Sequence, residues 1–194
     1  MGTSAGFVAV GPTLPAVPST STVNVVKGSN VANGVTVALK AGKLQAVWNG
    51  AAGSSADVIF DVTGFFVSDS AGLTYHPIVP VRLLDSSSSL GLSGPFANLV
   101  SRTLAVGGAT PAIPADAAGI SGNLTLVNPS GGGFAFISPL PVGLPTSSTV
   151  NINPHQTAAN GFDVALNAGS VCLVWAGPAG TTTNMQLDVT GYWK

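Results

Sequence analysis

Arg82 and Asp85 have the best claim to chemistry in this sequence, three residues apart in Val81-Arg82-Leu83-Leu84-Asp85-Ser86. An arginine fork beside a carboxylate can hold a carboxylate ligand, or it can neutralise an Asp that caps a turn. Asp85 stands just ahead of the serine run 86–89, which favours the structural reading. Asp61 and Asp188 each precede Val-Thr-Gly in well-separated parts of the chain, so they read as turn caps before glycine rather than as paired catalytic carboxylates. Trp48 and Trp175 end similar apolar runs. Exposed, they would stack on a sugar; buried, they would fill a core, and their recurrence favours the core. Tyr192 and Trp193 remain as rings able to stack on a ligand.

The other chemistry-bearing residues are few. All seven acidic residues are Asp, and there are two histidines. His76 precedes Pro77 and His155 follows Pro154, and neither has a second ligand at metal-binding spacing. Serines are abundant, but no Gly-x-Ser-x-Gly elbow occurs. Asn123-Leu124-Thr125 fits the pattern of a glycosylation acceptor. The expectation is a non-enzymatic protein with no catalytic, cofactor-binding or metal residues and no cofactor.

Charge sets the class of partner. Only 7% of the 194 residues are charged and the net charge is -1, against about 25% charged in an average domain. The surface must then be Ser, Thr, Asn, Gly and Ala, which can be dehydrated without stripping water from ions. Such a chain is expected to bury part of its outside against other subunits, as a homo-oligomer or with other structural proteins. Six scattered basic residues form no phosphate-neutralising patch, which argues against nucleic acid. No apolar run is long enough for a membrane-spanning helix, and the first residues carry no basic segment of a secretion signal. Cys172, the single cysteine, lies in Val171-Cys172-Leu173-Val174-Trp175 and reads as a small buried hydrophobe.

Residues 6–66 match residues 133–193 without a gap, with about 25 of about 61 positions identical. Shared blocks include Ser21-Thr22-Val23-Asn24 with Ser148-Thr149-Val150-Asn151, Val47-Trp48 with Val174-Trp175, and Asp61-Val62-Thr63-Gly64 with Asp188-Val189-Thr190-Gly191. Period-two patterning predicts strands: Val58, Phe60 and Val62 share one face of their stretch, as do Met185, Leu187 and Val189. Further strands are expected near 6–10, 21–26, 34–39 and 43–49, and at the counterpart positions near 133–138, 148–153, 161–166 and 170–176. Residues 74–132 have no counterpart and add strands near 79–83, 100–106 and 119–127. The expected fold is all-β, a β-sandwich or jelly-roll-like repeat of about eight strands. The expected layout is a partial repeat over 1–68, a linker over 69–75 and a complete repeat over 76–194. A remnant with open edges needs cover, from the second repeat or from a neighbouring chain.

The complete unit resembles a repeat common in surface proteins of actinobacteria. That repeat carries Arg-Leu-Leu-Asp-Thr-Arg near its start, then a Leu-Asn-Val-Thr-type strand with Asn-Pro, then Gly-Phe, and ends in Asp-Val-Val-Gly-Tyr-Phe. Here these read Arg82-Leu83-Leu84-Asp85-Ser86-Ser87, Asn123-Leu124-Thr125-Leu126-Val127-Asn128-Pro129, Gly133-Phe134 and Asp188-Val189-Thr190-Gly191-Tyr192-Trp193. Ser86-Ser87 replaces Thr-Arg, so any role of that second arginine is missing. The resemblance implies a non-catalytic module of cell walls, of secreted enzymes or of phages infecting such hosts. Three functions follow as expectations: a phage virion accessory subunit (capsid decoration, spike or tail-associated) on the virion surface, an extracellular cell-surface module, or a binder of surface glycans.

Overall fold

A computed structural model of the chain describes residues 1–68 and 70–194. Asp69, at the start of the expected linker, lies outside the described residues. The protein is all-β, with twelve strands in three antiparallel sheets among the described residues and no helix. It divides into two compact units, Met1–Phe60 and Asp61–Lys194.

Unit 1 holds one three-stranded sheet. Strand β1 (Gly6–Gly11) lies between β2 (Val23–Val25) and β3 (Gln45–Gly50). Only Val8 and Ala9 are buried hydrophobic residues among the described residues of this unit, at 5% and 2% exposure. Three short strands with so little interior lie at the lower limit of what holds together in water.

Unit 2 carries the remaining strands: β4 (Tyr75–Asp85), β5 (Phe96–Ala97), β6 (Arg102–Ala105), β7 (Gly119–Val127), β8 (Gly133–Ser138), β9 (Val150–Ile152), β10 (Thr157–Ala165), β11 (Ser170–Ala176) and β12 (Thr182–Trp193). One sheet runs β10-β7-β12-β4 with β5 also on β12, and the other runs β6-β11-β8-β9. Their inward residues form a single core: Leu84, Ile120, Leu124, Leu126, Met185, Leu187 and Val189 come from the first sheet, and Leu104, Ala135, Ile137, Val171, Leu173 and Trp175 from the second. The alternation in β12 follows the period of two, with Met185, Leu187 and Val189 fully buried and Asn184, Gln186 and Asp188 half-exposed between them.

The two units share local geometry at counterpart positions. Gly6 pairs with Val25 as Gly133 pairs with Ile152, and Val8 faces Trp48 as Ala135 faces Trp175. The Thr22 hydroxyl accepts from the Val10 amide as the Thr149 hydroxyl accepts from the Ile137 amide. The Asn33 side chain donates to the Thr22 carbonyl as Asn160 donates to that of Thr149.

Two expected strands are corrected. The stretches 34–39 and 58–62 form no ladder, whereas their counterparts lie in β10 and β12. The reason is visible in unit 2. There β8, β9 and β11 pair among themselves, but β10 pairs with β7, and β12 lies between β7 and β4. Among the described residues, nothing pairs with 34–39 or 58–62 as β7 and β4 pair with β10 and β12. The stretches whose counterparts pair among themselves have formed strands, and the two whose counterparts pair with β4 or β7 have not. A strand needs a neighbour for its backbone N–H and C=O groups.

Candidate functional site

Register, rather than closeness in sequence, decides the charged cluster. Arg82 on β4 stands directly opposite Asp188 on β12. Its Nε donates to Asp188 Oδ1 at 2.8 Å and its Nη2 to Oδ2 at 2.9 Å, a two-pronged pair. Asp85 is a more distant neighbour, 3.8 Å from Nη1. The hydrogen bond from Arg82 to Asp188 is the main cause raising the guanidinium pKa above its ordinary value. Asp85 accepts from the Ser87 hydroxyl and the Ser87 amide at the head of its turn, and from the Gln186 side chain. These bonds, the Ser87 hydroxyl foremost, hold its carboxyl below the ordinary value. Asp188 differs from the expected turn cap: Thr190 and Gly191 continue β12, so its carboxylate serves as the arginine's partner inside the sheet. Arg82 thus lies between two carboxylates, hydrogen-bonded to Asp188 and ion-paired at longer range with Asp85. Asp61, the counterpart of Asp188, is exposed and has no ion pair among the described residues.

The two tryptophans diverge. Trp175 is fully buried and its indole N–H donates to the Thr181 hydroxyl at 3.1 Å. Trp48 makes the same bond to Ser54 at 3.0 Å but stays half-exposed. Both rings lie under a glycine of the neighbouring strand. A Cβ on Gly133 would stand 2.3 Å from the Ala176 carbonyl oxygen and 2.7 Å from the Trp175 ring. A Cβ on Gly6 would meet Asn49 and Trp48 at 2.5 and 2.6 Å.

An aromatic patch lies at the far end of β12 in unit 2. Tyr75 and Trp193 rings are 5.0 Å apart and Phe66 is 5.8 Å from Trp193, while His76 stacks on Tyr192 at 4.8 Å. Phe66 is 71% exposed and Tyr75 38%. Beneath, the Trp193 indole donates to the Ser121 hydroxyl, which in turn donates to Asp163. That chain of bonds holds the Trp193 ring in place. Sequence reasoning offered Tyr192 and Trp193 as stacking rings and weighed His76 only as a metal ligand; the β4–β12 register sets His76 opposite Tyr192 and Tyr75 opposite Trp193 from distant positions.

The most unusual surface is apolar. Val58, Ile59, Phe60 and Val62 are 49, 82, 44 and 76% exposed, whereas Met185, Leu187 and Val189, the counterparts of Val58, Phe60 and Val62, are fully buried. Val35 and Leu39 are likewise open. Among the described residues no group of three or more His, Cys, Asp or Glu is placed to hold a metal ion, and no helix is long and apolar enough to cross a membrane. No family model matches the chain, and no curated protein matches it.

Proposed function

We propose that this chain is a non-enzymatic structural subunit built on a β-sandwich repeat, with one complete copy and one partial copy, that works through protein–protein contacts in an assembly. The observation that carries this reading is the exposure of Val58, Ile59, Phe60 and Val62 in a chain with 7% charged residues. Apolar side chains patterned for a core, on a surface nearly free of ions, fit a protein whose working state buries that surface. The sequence resemblance and the nearly ion-free composition support a phage virion accessory subunit, attached to a capsid or tail and acting at the virion surface. Native mass spectrometry and electron microscopy of the purified chain and of its source particle test this. Many copies at symmetric positions are expected; a dilute monomer, found on no particle, would exclude it.

A second reading rests on the Phe66–Tyr75–Trp193 patch, whose open rings have the size and spacing to stack on sugars. It makes the protein a glycan-binding module of a virion or cell surface. Titration of tryptophan fluorescence with host cell-wall oligosaccharides separates the two, since a glycan binder loses its response in a Trp193→Ala variant and a purely structural subunit shows none.

A further inference from the structure

Met185, Leu187 and Val189 point into the core of unit 2, so the residues between them face outward from the β10-β7-β12-β4 sheet. On that outward face the register sets Tyr75 opposite Trp193, and Gly191 and Asp163 on either side of Ser121. Further along, Asp188 lies between Arg82 and Asn123, and Gln186 between Asp85 and Thr125. Rings therefore stand at one end of a row whose remaining length is hydroxyl, amide and charged groups. The ring end is a shaped one. A Cβ on Gly191 would collide with the Tyr75 ring, so the glycine lets that ring lie against the sheet. The Trp193 ring, 5.0 Å from it, is held through Ser121 and Asp163. We propose that this face binds an extended, uncharged polysaccharide, with one sugar ring stacked on Tyr75 and Trp193 and the following rings lying along β12 toward Gln186. The inference rests on the glycan-binding reading above and names its ligand class and the extent of its site.

Three observations select this ligand. The first is length: at about 3.3 Å per residue, β12 runs about 20 Å from Trp193 to Gln186, room for several linked rings. The second is hydrogen bonding. Gln186 is engaged through Nε2, which donates to Asp85, and Asn123 through Nδ2, which donates to Thr125 at 3.3 Å. Among the described residues the carbonyl oxygens of both amides keep their accepting capacity, and a sugar hydroxyl can donate to them. Opposite Asn123 and Thr125, β10 carries only Gly161 and Ala159, and a Cβ on Gly161 would meet nothing closer than 3.8 Å. The amides are thus open from that side. The third is charge. Asp85, Asp163 and Asp188 set three carboxylates against the Arg82 guanidinium on this face. That field repels polymers bearing uronate or phosphate and is indifferent to neutral ones. A protein partner fits the row less well, because the apolar centre of a stable protein interface is absent from it.

The test is isothermal titration calorimetry of the intact chain with chitohexaose, cellohexaose and mannohexaose, with the corresponding disaccharides, and with hexagalacturonate at low salt. At least one neutral hexasaccharide is expected to bind about tenfold more tightly than its disaccharide, the gain of one or two further hydrogen bonds. Hexagalacturonate is expected not to bind. Asn123→Ala and Gln186→Ala should each weaken the hexasaccharide about three- to tenfold, the loss of one hydrogen bond. Both sites are half-exposed, and unchanged thermal melting shows that the fold is intact. Trp193→Ala should abolish binding. A hexasaccharide bound no more tightly than its disaccharide overturns the extended site and leaves the ring patch as a sugar site. The same holds for binding that is lost in Trp193→Ala yet indifferent to Asn123 and Gln186. Binding of no neutral hexasaccharide, or binding that survives in Trp193→Ala, overturns the extended site and the glycan-binding reading together. Hexagalacturonate bound as tightly as the neutral chains, or this face covered by a protein subunit in an assembled particle, also overturns the proposal.

Discussion

At the scale of single residues, the Arg82–Asp188 pair shows what a charge does in a chain that has few. The guanidinium is 42% exposed and the carboxylate 27%, so solvent screens part of the attraction, and the two-pronged geometry provides most of what remains. Arg82→Ala is expected to lower unfolding stability by about 1 kcal/mol, and Arg82→Lys to recover little of it because an ammonium cannot span both oxygens; urea denaturation of the variants measures both. Asp85 gives a pH dependence. Its folded carboxyl is more acidic than the unfolded one, chiefly through the Ser87 hydroxyl. Its stabilising contribution is therefore complete above the unfolded value of about 4 and fades as pH falls through the lower folded value. Denaturation midpoints from pH 6 to 2 should show an acid-side decline that is shallower in Asp85→Asn, with the variant already weaker at neutral pH. The sequence marked the Arg82–Asp85 pair and the Asp85 turn, both present, but not the arginine's closer partner. Asp85 is three positions from Arg82 and visible as a neighbour, whereas Asp188 is 106 positions away and becomes the closer partner through the β4–β12 register alone.

At the scale of elements, period-two alternation and turn residues were enough to place strands, because each strand writes its own pattern. They were not enough to say which patterns become strands. Val58-Ile59-Phe60-Asp61-Val62 and Met185-Gln186-Leu187-Asp188-Val189 alternate alike, yet only the second is paired, since β4 and β7 flank it. The two-residue strand β5 escaped notice for the opposite reason: Phe96–Ala97 is too short to show a period, and it exists through its pairing with Thr182 and Thr183. Tryptophan burial follows the same logic. Trp175 has both sheets of unit 2 around it, while Trp48, in the same local geometry, has one. Trp175→Ala is expected to cost about 3–5 kcal/mol, the usual range for emptying a buried aromatic site, and Trp48→Ala clearly less; equilibrium unfolding followed by far-UV circular dichroism separates the two. Gly133→Ala should be comparably damaging, because its new methyl would collide with the Ala176 backbone, which cannot move aside without opening the β8–β11 ladder.

At the scale of the whole molecule, stability is distributed very unevenly. Unit 2 closes two sheets over one continuous core, while unit 1 buries Val8 and Ala9 beneath three short strands. Burial of apolar area is the main force opposing chain entropy, so the units should not unfold together. Heating the intact chain is expected to give two transitions, with amides of β1, β2 and β3 losing protection well before those of β7, β11 and β12; one cooperative transition with uniform protection would contradict this. Low charge compounds the exposure. With a sequence pI near 6.0 and few ions at any pH, repulsion between molecules is weak, and the open 58–62 stretch gives them a place to adhere. Ile59 is the informative site, because its counterpart is Gln186, on the half-exposed face of β12. Ile59→Gln removes the most exposed of these apolar side chains while leaving Val58, Phe60 and Val62 to face a partner. The variant should therefore stay in solution at higher concentration near pH 6, as light scattering would show, without moving the upper melting transition of unit 2.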